Sequence, residues 1–182
     1  MNDEQRLFFA LWPPQEAAQS VHAWANDVRR DAGGRAIAAP NIHLTLAFIG
    51  EVDDARAREL AEIGGAVRAE PFELALDEAR YWAHNRIVWA GPSKAPEALL
   101  MLVRRLCAEL AGAGYKTDTR PYQAHITLVR DASPPSVFRA PPAQRFRVEE
   151  FLLVRSELSS RGPTYSVQQR YALANPARSR SA

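Results

Sequence analysis

The 182-residue chain holds a single cysteine, Cys107, and only two lysines, Lys94 and Lys116. One thiol excludes an internal disulfide framework and points to a reducing compartment, so a cytoplasmic protein is expected. No apolar run approaches the length needed to span a bilayer, so no membrane partner is expected. The opening MNDEQRLFFALW places acidic groups ahead of its apolar run and lacks the basic start and small-residue cleavage site of a secretory leader. Common catalytic kits are missing too: there is no H-E-x-x-H, no pair of cysteines, no G-x-x-x-x-G-K-[ST] and no G-x-G-x-x-G.

What is present is the composition of a globular protein, 47% hydrophobic and 24% charged. At this length it can bury one sizeable core but not two independent ones. Residues 1–174 are expected to form a single domain of two interleaved lobes, and NPARSRSA, 175–182, a flexible basic tail. The net charge is only +2, and nearly all the basic residues are arginine. Arginine is the better fork for phosphate, but codon bias produces the same ratio, so charge alone does not call for nucleic acid.

RLFFALWPP, 6–14, reads as a strand whose prolines open a helix. Ala18, Val21, Ala25 and Val28 recur at helical spacing until Gly33 and Gly34 stop the run. NIHLTLAFIG, 41–50, is the next strand. Asp53 offers an N-cap to a helix with Leu60, Ile63 and Val67 on one face. PFELALDEARYW and RIVWA read as a hairpin around His84-Asn85, followed by a helix with Leu99, Leu102, Val103, Leu106 and Leu110 on one side. Cys107 falls beside that apolar face and reads as a packing residue. AHITLVR, 124–130, is a strand, and DASPPSVFRAPPAQ, 131–144, an irregular loop. RFRVEEFLLVRSEL and PTYSVQQRYAL close the chain as two strands.

Two halves therefore repeat one order: strand, helix, H-[LI]-T-L strand. This order predicts two pseudo-symmetric halves, each presenting one HxTL strand. Side chains alternate across a strand, so His43 and Thr45 face one way while Leu44 and Leu46 anchor the other face. The same parity joins His125 to Thr127.

If the four polar groups converge, one imidazole can accept a proton while the other donates one. That suits displacement at phosphorus, where the attacking and departing oxygens lie roughly in line on opposite sides. The threonine hydroxyls can donate to non-bridging phosphate oxygens as charge builds there. Neither a metal nor another cofactor is needed. Residues alone do not say which histidine donates.

Arg130 and Arg120 bracket the second motif as candidate phosphate ligands. Strand parity puts residue 130 opposite to 125, so reach into the cleft requires the strand to end or bulge near Val129. Phe9, Trp12 and Trp82 are candidates to stack a base. His22 and His84 have no part in the scheme. Three other readings stand beside it: packed structural histidines, a shared zinc site lacking an evident third ligand, and a nucleotide or RNA-end binding module without turnover.

On the paired motifs, the chain resembles the two-histidine phosphoesterase superfamily, and within it the RNA 2′,3′-cyclic phosphodiesterases, also called 2′-5′ RNA ligases. RLFFALWPP, NIHLTLAFIGEV, RPYQAHITLVRDAS and SRGPTYSV carry the likeness along nearly the whole length. The resemblance implies an α+β fold of two pseudo-symmetric lobes with antiparallel sheets, helices packed outside and a central cleft between the two HxTL strands. It also implies metal-independent hydrolysis of 2′,3′-cyclic phosphate ends of RNA or nucleotides to a 2′-phosphomonoester, with ligation as the reverse direction. It implies His43 as proton donor to the departing ribose O3′ and His125 as the base that activates water. Thr45, Thr127 and Arg130 would bind phosphate, with RNA ends or cyclic nucleotides as partners and no obligate protein partner.

Overall fold

A computed structural model describes residues 4–159 and 162–174. Alternation along β1 (Gln5–Leu11) sorts the two faces of the main sheet. Leu7, Phe9 and Leu11 join the principal core, whereas Phe8 and Ala10 face the other side and pack in a smaller cluster with Leu152 and Val154. The principal core is covered by three helices: α1 (Gln15–Ala32), α2 (Asp54–Ala66) and α3 (Glu97–Gly112).

Their local signals are those expected. Pro14 stands at the N-cap of α1, Glu16 lies in its first turn, and Arg29 and Arg30 lie in its last, which complements the helix dipole. Gly33, at φ 69°, takes the backbone out of the helix. The Asp53 carboxylate accepts from Arg56 N at 2.8 Å and caps α2. Leu99, Leu102, Val103, Leu106 and Leu110 form the buried face of α3, with Cys107 partly buried beside them.

The strands are β2 (Arg35–Ala36), β3 (Leu44–Val52), β4 (Phe72–Leu76), β5 (Glu78–Trp82), β6 (Ile87–Gly91), β7 (Ile126–Arg130), β8 (Gln144–Val148), β9 (Glu150–Ser159) and β10 (Gly162–Ala172). The main sheet runs β10-β9-β1-β3-β7-β6-β5, with β2 on β7. A separate ladder joins β4 to β8. All pairings are antiparallel, so the class is α+β as the family resemblance implied.

The repeat is visible in the topology: β1-α1-β3 in one half and β6-α3-β7 in the other. The motif strands β3 and β7 meet through one residue pair, Leu44↔Ile126. Each of these residues directly follows a motif histidine, so the junction of the halves is also the centre of the cleft. α1 touches β7 and α3 touches β3, so each helix supports the other half's motif strand.

Some local readings are corrected. NIHLTLAFIG does not start as strand: Ala39–Asn41 form a 3-10 turn opened by Pro40, and ladder pairing begins at Leu44. PFELALDEARYW is not one strand of a hairpin. It breaks at Asp77, whose carboxylate takes Ser93 N at 2.7 Å and Ser93 Oγ at 3.0 Å. β4 before the break pairs with β8, while β5 after it pairs with β6. RFRVEEFLLVRSEL likewise divides at Glu149 into β8 and β9, which serve different sheets. Two-residue β2 carries too little pattern to be read. The tail at 175–182 lies outside the described residues.

Candidate active site

His43 and His125 both sit one residue ahead of their strands, where β3 and β7 separate beyond Leu44↔Ile126. In each case the carbonyl two residues upstream fixes the ring: His43 Nδ1 lies 2.7 Å from Asn41 O, and His125 Nδ1 lies 2.8 Å from Gln123 O. A carbonyl only accepts, so Nδ1 carries the hydrogen and Nε2 is the nitrogen left to titrate. The cleft is a cavity of about 230 Å³ lined by both histidines, Thr45, Thr127 and Arg130. Asn41, Asn85 and Tyr165 add polar groups to its wall. Neither threonine hydroxyl has a hydrogen bond among the described residues.

The same irregularity occurs in both motif strands. In β3, Ala10 pairs with Thr45 but Phe9 with Ala47, so Leu46 is an extra residue. In β7, Trp89 pairs with Thr127 but Val88 with Val129, so Leu128 is extra. Each bulge falls on the leucine of H-[LI]-T-L. It buries Leu128 and Val129 together and inverts the parity beyond them, which turns Arg130 toward the histidine face. The halves brace one another at these points: Ile37 N donates to Leu128 O at 2.8 Å, and the Tyr122 hydroxyl donates to Thr45 O at 2.9 Å.

Aromatic rings wall both imidazoles. Trp12 stacks on His43 at 4.8 Å, with Phe8 and Tyr165 each at 5.0 Å. Trp82 meets His125 edge-on at 4.7 Å. Burial among these rings is the largest influence on His43 and pushes its pKa down to about 4. The Asn41 carbonyl opposes that shift, while Arg130 and His125 add to it. His125 is lowered for the same leading reason, with Arg130 contributing.

The other candidates are placed elsewhere. Phe9 is fully buried against Phe151 and Tyr171 and has no face for a base. Trp12 lays its face on the His43 ring, and Trp82 is committed to an edge contact with His125. Arg120 is held by Asp118 and is not among the residues lining the cleft. His22 Nδ1 bonds Ile37 O at 2.7 Å and tethers the segment after β2. Among the described residues no three His, Cys, Asp or Glu side chains gather as metal donors. Tyr165 reaches the cleft from β10, about as far along the chain from His43 as the fold allows, and only its place in SRGPTYSV hinted at it.

A duplicated α+β fold with two H-[LI]-T-L words converging on one cleft defines a two-histidine phosphoesterase. The model of the LigT-like phosphoesterase family matches the chain twice, over residues 11–89 and 90–165, with one motif in each span. The chain belongs to this family. It is 37% identical to the RNA 2′,3′-cyclic phosphodiesterase of Escherichia coli over 95% of this chain and 99% of that protein. The Thermus thermophilus protein of the same name is 32% identical, over 92% and 90%. The crystal structure of E. coli LigT complexed with 3′-AMP superposes with a TM-score of 0.89 at 36% identity, covering 95% of this chain and all of that one.

Proposed function

We propose that the protein is a phosphodiesterase that opens 2′,3′-cyclic phosphate ends of RNA or small nucleotides to 2′-phosphomonoesters. The observation that carries this reading is the pair of imidazoles, each tied through Nδ1 to its own backbone and each leaving Nε2 to one shared cleft. His125 Nε2 takes a proton from water as the water oxygen bonds to phosphorus. The P–O3′ bond breaks on the opposite side, and His43 Nε2–H delivers a proton to the departing O3′. Thr45 and Thr127 donate to the non-bridging oxygens, and Arg130 adds a positive charge beside them. The reverse sequence is the ligation direction. The assignment of donor and base follows the family resemblance.

A cavity of about 230 Å³ suits a cyclic phosphate with its ribose and leaves the base at the rim. Further along β3, Phe48 is 53% exposed, with the Arg6 guanidinium 5.0 Å from its ring centre. It follows His43 by the same interval at which Arg130 follows His125. A pure binding module needs hydrogen-bond donors but not two titrating nitrogens, so the histidine pair favours turnover.

Hydrolysis of an oligonucleotide ending in a 2′,3′-cyclic phosphate, run in excess chelator, tests the reading. A 2′-phosphate product is expected, with His43→Ala and His125→Ala each lowering the rate by about 10²–10⁴-fold. Near-normal rates in both variants, or loss of activity on chelation with recovery on added zinc, would reject it.

A further inference from the structure

Arg130 ends β7 at a point held from several directions. Asp131, the next residue, sits at φ 57°, in the left-handed region that side-chain-bearing residues avoid. Arg86, in the turn between β5 and β6, sits at φ 56°. The two strained residues face each other. Arg86 Nη2 donates to Asp131 O at 3.2 Å, Arg86 Nε lies 3.4 Å from Ala132 O, and Ala132 N donates back to Arg86 O at 2.9 Å. The Tyr81 hydroxyl also donates to Ala132 O, at 3.1 Å.

From the first half, Arg35 pairs with Arg130 in the β2–β7 ladder and its guanidinium holds the Asp131 carboxylate at 3.0 Å. Gly34, at φ +78°, lies so close that a methyl group there would collide with the Arg130 carbonyl oxygen. Strained backbone persists only where surrounding contacts over-determine it, and here the contacts converge on one short segment. Arg130 itself has no carboxylate partner among the described residues.

We propose that Gly34, Arg35 and Arg86 are positioning residues that clamp the end of β7 and thereby hold the Arg130 guanidinium in the cleft. The proposal rests on Arg130 serving as the phosphate ligand described above. Arg86 and Arg35 do not touch substrate in this scheme; their effect passes through Arg130. The Arg130 charge lowers the pKa of both histidines, so its displacement has a signature that loss of stability alone does not.

The test compares Arg86→Met, Arg86→Lys, Gly34→Ala and Arg130→Met, alone and with Arg86→Met combined with Arg130→Met. NMR titration of the histidine ring protons in the free protein is read beside kcat/KM on a nucleoside 2′,3′-cyclic phosphate. Arg130→Met is expected to raise both imidazole pKa values and to lower kcat/KM about tenfold or more. Arg86→Met should move both readouts part of the way, Arg86→Lys should recover most of the change, and the double variant should match Arg130→Met. Folded Arg86→Met with parental titrations, or a double variant in which the two losses multiply, would overturn the clamp. Because the titrations need no turnover, failure to hydrolyse cyclic phosphates would count against the proposed function while the clamp is still judged by the imidazoles. Arg86 variants decide the matter if Gly34→Ala does not fold.

Discussion

Binding of a phosphate group should return His43 to a range in which it holds a proton at neutral pH. In the free protein its pKa is depressed from 6.5 to about 4, chiefly by burial among Phe8, Trp12 and Tyr165. At pH 7 the neutral ring then predominates by about a thousandfold. A negative charge about 4 Å away, at an effective dielectric constant near 20, stabilises the imidazolium by about 4 kcal/mol, or about three pKa units. The group therefore rises to about 7 in the complex, where it can act as an acid. NMR titration of the His43 ring with and without saturating 2′-AMP measures the shift directly. Both limbs of the kcat profile should also lie at higher pH than those of kcat/KM, which reports the free enzyme. The depressed value has a consequence for stability as well. The unfolded chain binds the proton more tightly, so the contribution of about 3 kcal/mol is complete above pH 6.5 and is lost as pH falls through 4. A His43 that titrates near 6.5 in the free protein, or does not respond to the ligand, would refute this reasoning.

Two further predictions concern packing around the motif strands. Tyr122→Phe removes the hydroxyl that reaches Thr45 O and leaves that carbonyl at the bulge without this donor. A loss of about 1–3 kcal/mol in urea denaturation is expected, with a raised KM as Thr45 shifts. Gly64→Ala drives a methyl group into the Tyr171 ring, whereas neighbouring Gly65 faces open space. The first substitution should cost about 1–3 kcal/mol, and Gly65→Ala should stabilise the helix by up to about 1 kcal/mol. Equal effects at the two glycines would contradict the packing assigned to α2.

Much of this was legible in the residues because the signals are local. Helix faces, the Asp53 cap, the stop at Gly33 and the H-x-T parity depend on a few neighbouring positions and on the fixed periods of helix and strand. The repeated H-[LI]-T-L word also announced the duplication, and with it a shared cleft. Arg130 marks the limit: ideal alternation points it away from His125, and the residues could say only that the strand must end or bulge near Val129.

What the amino-acid sequence determined by itself was most of the element types, the duplicated order of strand, helix and motif strand, and the two planks that carry imidazole and hydroxyl. Only the tertiary structure decided that Leu46 and Leu128 are the extra residues, that Asp77 and Glu149 divide apparent strands between two sheets, and that Tyr165 arrives beside His43. It also decided that Trp12 and Trp82 wall the imidazoles, with Phe9 committed to the core. The physical reason is range. Periodicity and capping are written in adjacent residues, whereas a bulge, a strand's partner and the burial that sets an imidazole's pKa depend on chain segments that meet only once the molecule has folded.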